Sequence, residues 1–317
     1  MFKLFSNASI YRFTRTTQNL NVAGLNAAMP DYPFCMCTSQ ESARTGWEMN
    51  DDNTPWMLTF KDYILIRFRT ERRDVPKAAI AAELDKRCAA WEERMGVQPK
   101  RGERLALRDE VYQKLLPRAF SKTTTHQMMI DLKRQLIIID TASARQAEHA
   151  LAFLRKTLQS LPVVPVCAKE PPELTMTEWL RLPPDEQPQG LTIDDSRLVV
   201  SNMLETSIKA TLSGLTYSDA TSSLLTNNNV VTTLSLTVAT PFNLSFILTD
   251  TLIFRRLKFA SALKEQAQEN GEETAGEEDD RAAVQRVVDE ATFILMAEEL
   301  ATAWDTVIGA LGGEADL

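Results

Sequence analysis

The strongest constraint on this chain is a run of four consecutive apolar residues, Leu136 to Ile139, set between Lys133-Arg134 and Asp140. A strand with one wet face alternates apolar and polar residues, whereas an unbroken apolar run suits a strand buried on both faces. His126 to Leu132 precedes it as a partner strand, and Ala144 to Leu161 follows as an amphipathic helix with Ala147, Leu151, Leu154 and Leu158 on one stripe. Val163 to Cys167 returns as a strand. The centre of the chain therefore reads as an α+β layer.

The flanks follow the same logic. Ser6 to Arg15 alternates as a half-buried strand, and Leu20 to Met29 is a short helix. Trp56 to Phe60 and Tyr63 to Thr70 form a hairpin turning at Lys61-Asp62. The texture then changes. Pro76 suits a first helical position, Lys77 to Met95 carries Ile80, Leu84, Cys88 and Trp91 at helical spacing, and Gly96 to Gly102 breaks the pattern. Glu103 to Leu116 is a second helix, stopped by Pro117, so an antiparallel helical hairpin is expected here.

Further on, Thr175 to Glu178 has the form of a capping box, and the proline-rich stretch Pro183 to Pro188 reads as a linker. Strands are expected at Arg197 to Val200, Ser207 to Leu212, Val230 to Val238, Asn243 to Thr249 and Ile253 to Phe259, rich in Thr, Ser and Val as an antiparallel sheet would be. Glu269 to Asp280 is acidic and poor in apolar residues, which suggests a mobile loop. A final helix, Arg281 to Leu311, ends at Gly312-Gly313.

Composition excludes more than it selects. No apolar run is long enough to span a bilayer, and the N-terminus reads as a strand rather than a signal peptide. Cys35, Cys37, Cys88 and Cys167 show neither a CxxC pair nor metal spacing, and fit reduced thiols in a cytoplasmic protein. His126 and His149 have no ligand partners at useful spacing. Glycine-rich phosphate loops and nucleophile elbows are missing. Asp131, Asp140 and Glu173 are the only carboxylates that suggest a metal-dependent nuclease, and strand-end acids more often cap turns. The expectation is a non-enzyme without cofactors or metal.

The formal charge of −8 opposes nucleic-acid binding when taken as a total, but its distribution does not. Lys61 to Lys122 holds 16 Lys+Arg against 10 Asp+Glu, whereas Leu263 to Leu317 holds 3 against 15.

The segment Arg108 to Val166, with LLPRAFS, IIIDTASA, AEHALAFLRK and LPVVPV, strongly resembles the bacterial recombination-associated RdgC family. FKLFSNASIYRF, Ser39-Gln40, Gly46-Trp47, ELTMTEWL, RRLKF, FILMAEEL and LGGEADL extend the likeness in order along nearly the whole chain. The resemblance implies an α+β subunit in three parts: a central body (1–75 and 119–172), an inserted helical tip (76–118), and a base of antiparallel sheet and helix (173–317). It also implies a ring-shaped homodimer around duplex DNA, bound without sequence preference. Such a protein would be cytoplasmic and nucleoid-associated, would touch no membrane, and would limit the access of the strand-exchange recombinase.

By this resemblance, Phe120 with Leu116 and Pro117 forms the tip contact between subunits, although a Phe after a helix stop could equally be core. Arg108, Lys114, Arg118, Lys122 and Lys209 are the expected phosphate contacts. One departure matters. Where the family has consecutive lysines, this chain reads Ile208-Lys209-Ala210-Thr211-Leu212-Ser213 and Asn229-Val230-Val231-Thr232-Thr233-Leu234, so only Lys209 remains charged. Lost cations weaken phosphate binding steeply. The alternatives are a diverged ring acting through a protein partner and, less favoured, a metal-dependent exonuclease.

Overall fold

A computed structural model describes residues 3–14, 22–49, 56–201, 207–210, 229–275 and 281–315. They form twelve strands and seven α-helices in a mixed α+β arrangement. In chain order these are β1 (Asn7–Phe13), α1 (Val22–Ala28), β2 (Ala43–Trp47), β3 (Met57–Phe60), β4 (Tyr63–Asp74), α2 (Lys77–Met95), α3 (Arg101–Leu115), β5 (Phe120–Asp131), β6 (Leu136–Ile139), α4 (Ala144–Leu158) and β7 (Val163–Pro165). Then follow α5 (Pro172–Trp179), β8 (Leu191–Ser201), β9 (Ser207–Ala210), β10 (Val230–Val238), β11 (Leu244–Thr249), β12 (Phe254–Lys258), α6 (Ser261–Ala275) and α7 (Arg281–Ala310). The chain divides into two compact units. One comprises Met1–Asn21, Leu58–Leu65 and Gln127–Leu317; the other comprises Val22–Met57 and Ile66–His126.

In the larger unit the strands run in the order β5-β6-β1-β12-β11-β10-β8-β9. β1 holds this sheet together. One edge pairs with β6 over Ser9–Arg12, and the other is shared between β12 at Asn7 and Ala8 and β7 at Tyr11 to Phe13. Leu136, Ile137, Ile138 and Ile139 are all buried, as the unbroken apolar run demands. Leu136 and Ile138 join a core with Ile10, Met129, Phe246, Phe254, Phe293 and Trp304. On the opposite face of β1, the Tyr11 hydroxyl donates to Glu148 of α4 at 3.4 Å. The apolar stripe of α4, Ala147, Ala150, Leu151 and Leu154, is buried on that side.

The core that Leu136 and Ile138 join is aromatic at its centre. Phe246 stacks on Phe254 with centroids 4.2 Å apart, and Trp304 of α7 lies 6.4 Å from Phe254. Each fully buried side chain of this size contributes about 1.5–3 kcal/mol against the entropy of ordering the chain. α7 ends at Gly312 and Gly313, whose φ angles of +76° and +97° suit glycine. The chain then returns: Glu314 bridges to Ala168 and ion-pairs with Arg12.

Two expectations are corrected in this unit. The acidic stretch is helical as far as Ala275, and residues 276–280 lie outside the described residues. Tertiary packing decides it: Leu263 and Ala267 are fully buried, and Gly271 approaches Val288 so closely that a Cβ would lie 2.4 Å from its Cγ2. The Thr175–Glu178 capping box is not used, because α5 starts earlier at Pro172. Thr175 sits inside the helix, and its hydroxyl donates back to the Pro171 carbonyl at 3.1 Å.

In the smaller unit β2 pairs antiparallel with β4, from Ala43 opposite Arg72 to Trp47 opposite Phe68. β5 lies on the other side of β4. Trp47 meets Phe68 edge-on at 6.0 Å, and His126 stacks on Phe68 at 4.9 Å. The helical hairpin is present: α2 stops at Gly96, whose φ of +71° is the left-handed conformation a C-terminal glycine supplies. Pro76 is the N-cap of α2, one position before the expected place. The hairpin is thinly anchored, with Leu84 the buried residue of α2 and Val111 that of α3.

Candidate nucleic-acid and subunit interface

The residues expected at the tip lie where α3 gives way to β5. A single 3₁₀ turn, Leu116–Arg118, closes the helix, and β5 begins at Phe120. Phe120 is therefore the first residue of a strand, not a core residue after a helix stop. It is 91% exposed, the most exposed of the large apolar side chains among the described residues. Pro117, Arg118 and Lys122 are exposed beside it. Leu116 differs: at 1% exposure its side chain packs inside its own unit, which corrects its expected place in a subunit contact.

A polar clamp fixes this segment. The Arg73 guanidinium donates to the carbonyls of Leu116 (3.5 Å), Pro117 (3.3 Å) and Cys37 (3.4 Å). The buried Glu71 carboxylate accepts the Cys37 N–H and is bonded by Ser121. These bonds, led by the Cys37 N–H, hold the Glu71 carboxyl below the usual carboxylate range. Burial and the neighbouring Glu71 push the Cys37 thiol up, so it stays protonated and unreactive at neutral pH. Arg73 and Glu71 together join the loop carrying Met36, itself 80% exposed, to the segment carrying Phe120. Sequence reasoning missed both clamp residues, because nothing local marks a strand Arg or Glu as bonded to a distant loop.

The expected phosphate contacts separate into three groups. Arg108, Arg118 and Lys122 are exposed and make no ion pair among the described residues. Lys114 is exposed but spends its charge on Glu83 at 2.8 Å. Lys209 stands on β9 opposite Val199, and its side chain lies outside the described residues. Thr211, Leu212 and Ser213 also lie outside them.

The positive surplus between Lys61 and Lys122 is not concentrated on the hairpin. β4 carries Arg67, Arg69, Arg72 and Arg73. Arg69 ion-pairs with Glu48 and lies 5.8 Å from the Phe34 ring, so part of the surplus is structural. On α2 and α3, Lys86 and Lys114 both approach Glu83, and Arg104 approaches Asp85.

The three carboxylates considered for a nuclease do not converge. Asp131 is opposite Leu136 at one end of the β5–β6 pair, buried and bonded to Arg134. Asp140 is at the other end, where it accepts the N–H groups of Ser6 and Asn7 at 2.9 Å. Among the described residues no group of three or more His, Cys, Asp or Glu side chains is placed to hold a metal ion.

A family model described as "Putative exonuclease, RdgC" matches residues 3–314. The chain belongs to the RdgC family. It is 36% identical to the recombination-associated protein RdgC of Aeromonas hydrophila over 312 residues, covering 98% of both chains. The proteins of that name from Serratia proteamaculans and Yersinia enterocolitica are 36% and 34% identical over 313 residues, again with 98% of each chain covered. The matched residues span both compact units. No helix of the described residues is long and apolar enough to cross a membrane.

Proposed function

We propose that this chain is a non-catalytic, sequence-independent duplex-DNA-binding protein that closes as a homodimeric ring and modulates recombination by limiting recombinase access. The observation that carries the reading is the start of β5. Phe120 is 91% exposed there, between the exposed cations Arg118 and Lys122, neither of which is ion-paired among the described residues. An apolar side chain so exposed on a clamped backbone suits a contact with another surface. Cations that no carboxylate neutralises are available to phosphate, and each phosphate contact releases a counterion. The recombination-associated relatives supply the process. A nucleoid-associated location in the cytoplasm follows from the same reading.

The test is fluorescence-anisotropy binding to an arbitrary duplex of ~30 base pairs across a salt series, where each phosphate contact steepens the slope by about 0.9. Tight binding that falls with salt and ignores sequence supports the reading. Phe120→Ser is expected to weaken self-association and DNA retention together, and unchanged values of both would remove Phe120 from the contact. The family model's description favours a second reading, DNA degradation. Incubation of end-labelled duplex with Mg²⁺ or Mn²⁺ decides it: products made by the purified chain, and lost on chelation, would replace the non-catalytic reading. Absence of DNA binding at low salt would instead favour action through a protein partner, as the scarcity of cations around Lys209 suggests.

A further inference from the structure

β12 carries an irregularity in the middle of the larger sheet. Against β11, Lys258 faces Ser245 and Arg255 faces Ile247, so three steps along β12 answer two along β11. The extra residue is Arg256, whose φ of +55° lies in the left-handed region. Such a β-bulge ordinarily takes glycine, which adopts this conformation without a steric penalty. Non-glycine residues with positive φ occur at five other places among the described residues. Lys61, Gln135, Gln159, Asn243 and Leu252 stand in turns or at a helix end, and Arg256 alone is inside a strand.

The bulge resets which side chains leave the core. Phe254 and Leu257 are three positions apart, a spacing that puts residues of a regular strand on opposite faces. Here both are buried in the same core, while Arg255, Arg256 and Lys258 are all exposed. The backbone of the bulge is fixed. The Arg256 N–H donates to the Asn7 side-chain oxygen at 3.2 Å, and the Leu257 N–H donates to the Ser6 carbonyl at 2.9 Å. None of the three cations forms an ion pair among the described residues, and Arg255 acts on Asp250 only at longer range.

An exposed arginine returns no packing energy for the strain of its backbone, and strain of this kind collects at functional positions. We propose that Arg255, Arg256 and Lys258 form a second phosphate-contact site, taking the backbone of a nucleic-acid duplex on the exposed face of β12. The inference rests on the DNA-binding reading above and adds a contact on the larger unit. The chemistry of the face selects phosphate. Arg255 and Lys258 stand opposite residues two apart on β11, hence about 7 Å from each other, a spacing that long side chains can match to neighbouring phosphates. Lys258 has Ser245 as its cross-strand neighbour, and the Ser245 and Thr237 hydroxyls lie 2.8 Å apart on the same face. Hydroxyls and cations are the usual phosphate donors. A protein contact would centre on an apolar anchor, and none of the large exposed apolar side chains among the described residues belongs to β10, β11 or β12.

Arg256→Gly in the full-length chain separates binding from folding. Glycine takes the left-handed conformation without strain, so the thermal unfolding midpoint should hold or rise while affinity for an arbitrary duplex of ~30 base pairs falls. Each lost phosphate contact lowers the salt slope of log K by about 0.9, which at 0.1 M salt is about eightfold in affinity. Arg255→Gln and Lys258→Gln should each lose a similar amount, whatever the sequence of the duplex. Arg256→Lys keeps the charge and should keep most of the affinity. A wild type that binds duplex, with the glycine and glutamine variants matching its affinity and slope, overturns this site and leaves the DNA-binding reading on Arg118 and Lys122. Equal losses in Arg256→Lys and Arg256→Gly would make the effect one of shape, not charge, and overturn the site as well. A wild type that binds no duplex at low salt overturns both readings.

Discussion

Gly46→Ala is the perturbation most directly computed from this structure. Gly46 lies in β2, and the Pro33–Phe34 backbone crosses directly over its Cα. A Cβ there would sit 2.3 Å from the Phe34 Cα, 2.4 Å from its nitrogen and 2.5 Å from the Pro33 oxygen. All three are backbone atoms, so no side chain can rotate away. The loop must lift, and two bonds that hold it go too: Phe34 N–H to Trp47 O and Trp47 N–H to Tyr32 O, both 2.9 Å. Overpacking costs about 1–3 kcal/mol and each lost bond about 1 kcal/mol, which totals about 3–5 kcal/mol. Urea denaturation followed by circular dichroism measures the loss. Hydrogen exchange locates it, with faster exchange expected across residues 33–47 and unchanged protection in α4 of the other unit. A loss below about 1 kcal/mol, or exchange rising equally in α4, would refute the argument.

Glu71→Ala should destabilise by about 1–3 kcal/mol, since the buried Cys37 N–H loses its acceptor, and urea titration reads this. Because the folded carboxyl is held below its ordinary value of 4.5, its stabilisation is present above that pH and is lost as pH falls through the folded value; Glu71→Gln should flatten this acid limb of a Tm–pH profile. Glu299 behaves oppositely. It is 2% exposed, accepts from Thr240 and from the Phe242 N–H at 3.2 Å, and burial pushes its carboxyl up. Its protonated form is favoured in the fold, so stability declines as pH rises from about 4.5 through the raised value, and Glu299→Gln should remove that decline and leave the chain no less stable at neutral pH. Trp304→Ala empties the centre of the aromatic core and should cost about 3–5 kcal/mol by thermal or urea unfolding.

What the sequence disclosed follows from which residues are buried. α2 was legible to both ends, because Pro76 and Gly96 mark its limits by backbone geometry alone. Leu136–Ile139 was legible because burial on both faces leaves an unbroken apolar run. The first half of β5 was not, since Phe120 to Thr125 are all exposed and nothing selects for alternation. β2 was missed for a related reason: Ala-Arg-Thr-Gly-Trp contains a glycine required by a loop crossing above it, not by any turn. α6 reads as a solvated acidic tract until Gly271 is seen against Val288. At the candidate interface, the sequence singled out Phe120 and its flanking cations, and all three are exposed. It could not distinguish Leu116, which is buried, from Phe120 four residues later, which is not.

The same distinction governs the charge map. A count along the chain treats every cation between Lys61 and Lys122 as available, yet charge acts on a distant phosphate only if no nearer carboxylate or dipole has neutralised it. Lys61 meets Glu298, Arg69 meets Glu48, Lys114 meets Glu83, and Arg73 is spent on backbone carbonyls. Arg94 lies over the Trp91 ring at 5.3 Å. What remains beside Phe120 is a smaller set, Arg118 and Lys122. If a second copy contacts this one at Phe120, as proposed, Arg118 and Lys122 are doubled at one place by the two-fold axis. Local cation density at the contact would then exceed what a net charge of −8 suggests for either copy alone. Self-association and phosphate binding would in that way be coupled through the same few residues, and a subunit that cannot self-associate at Phe120 would present its cations singly.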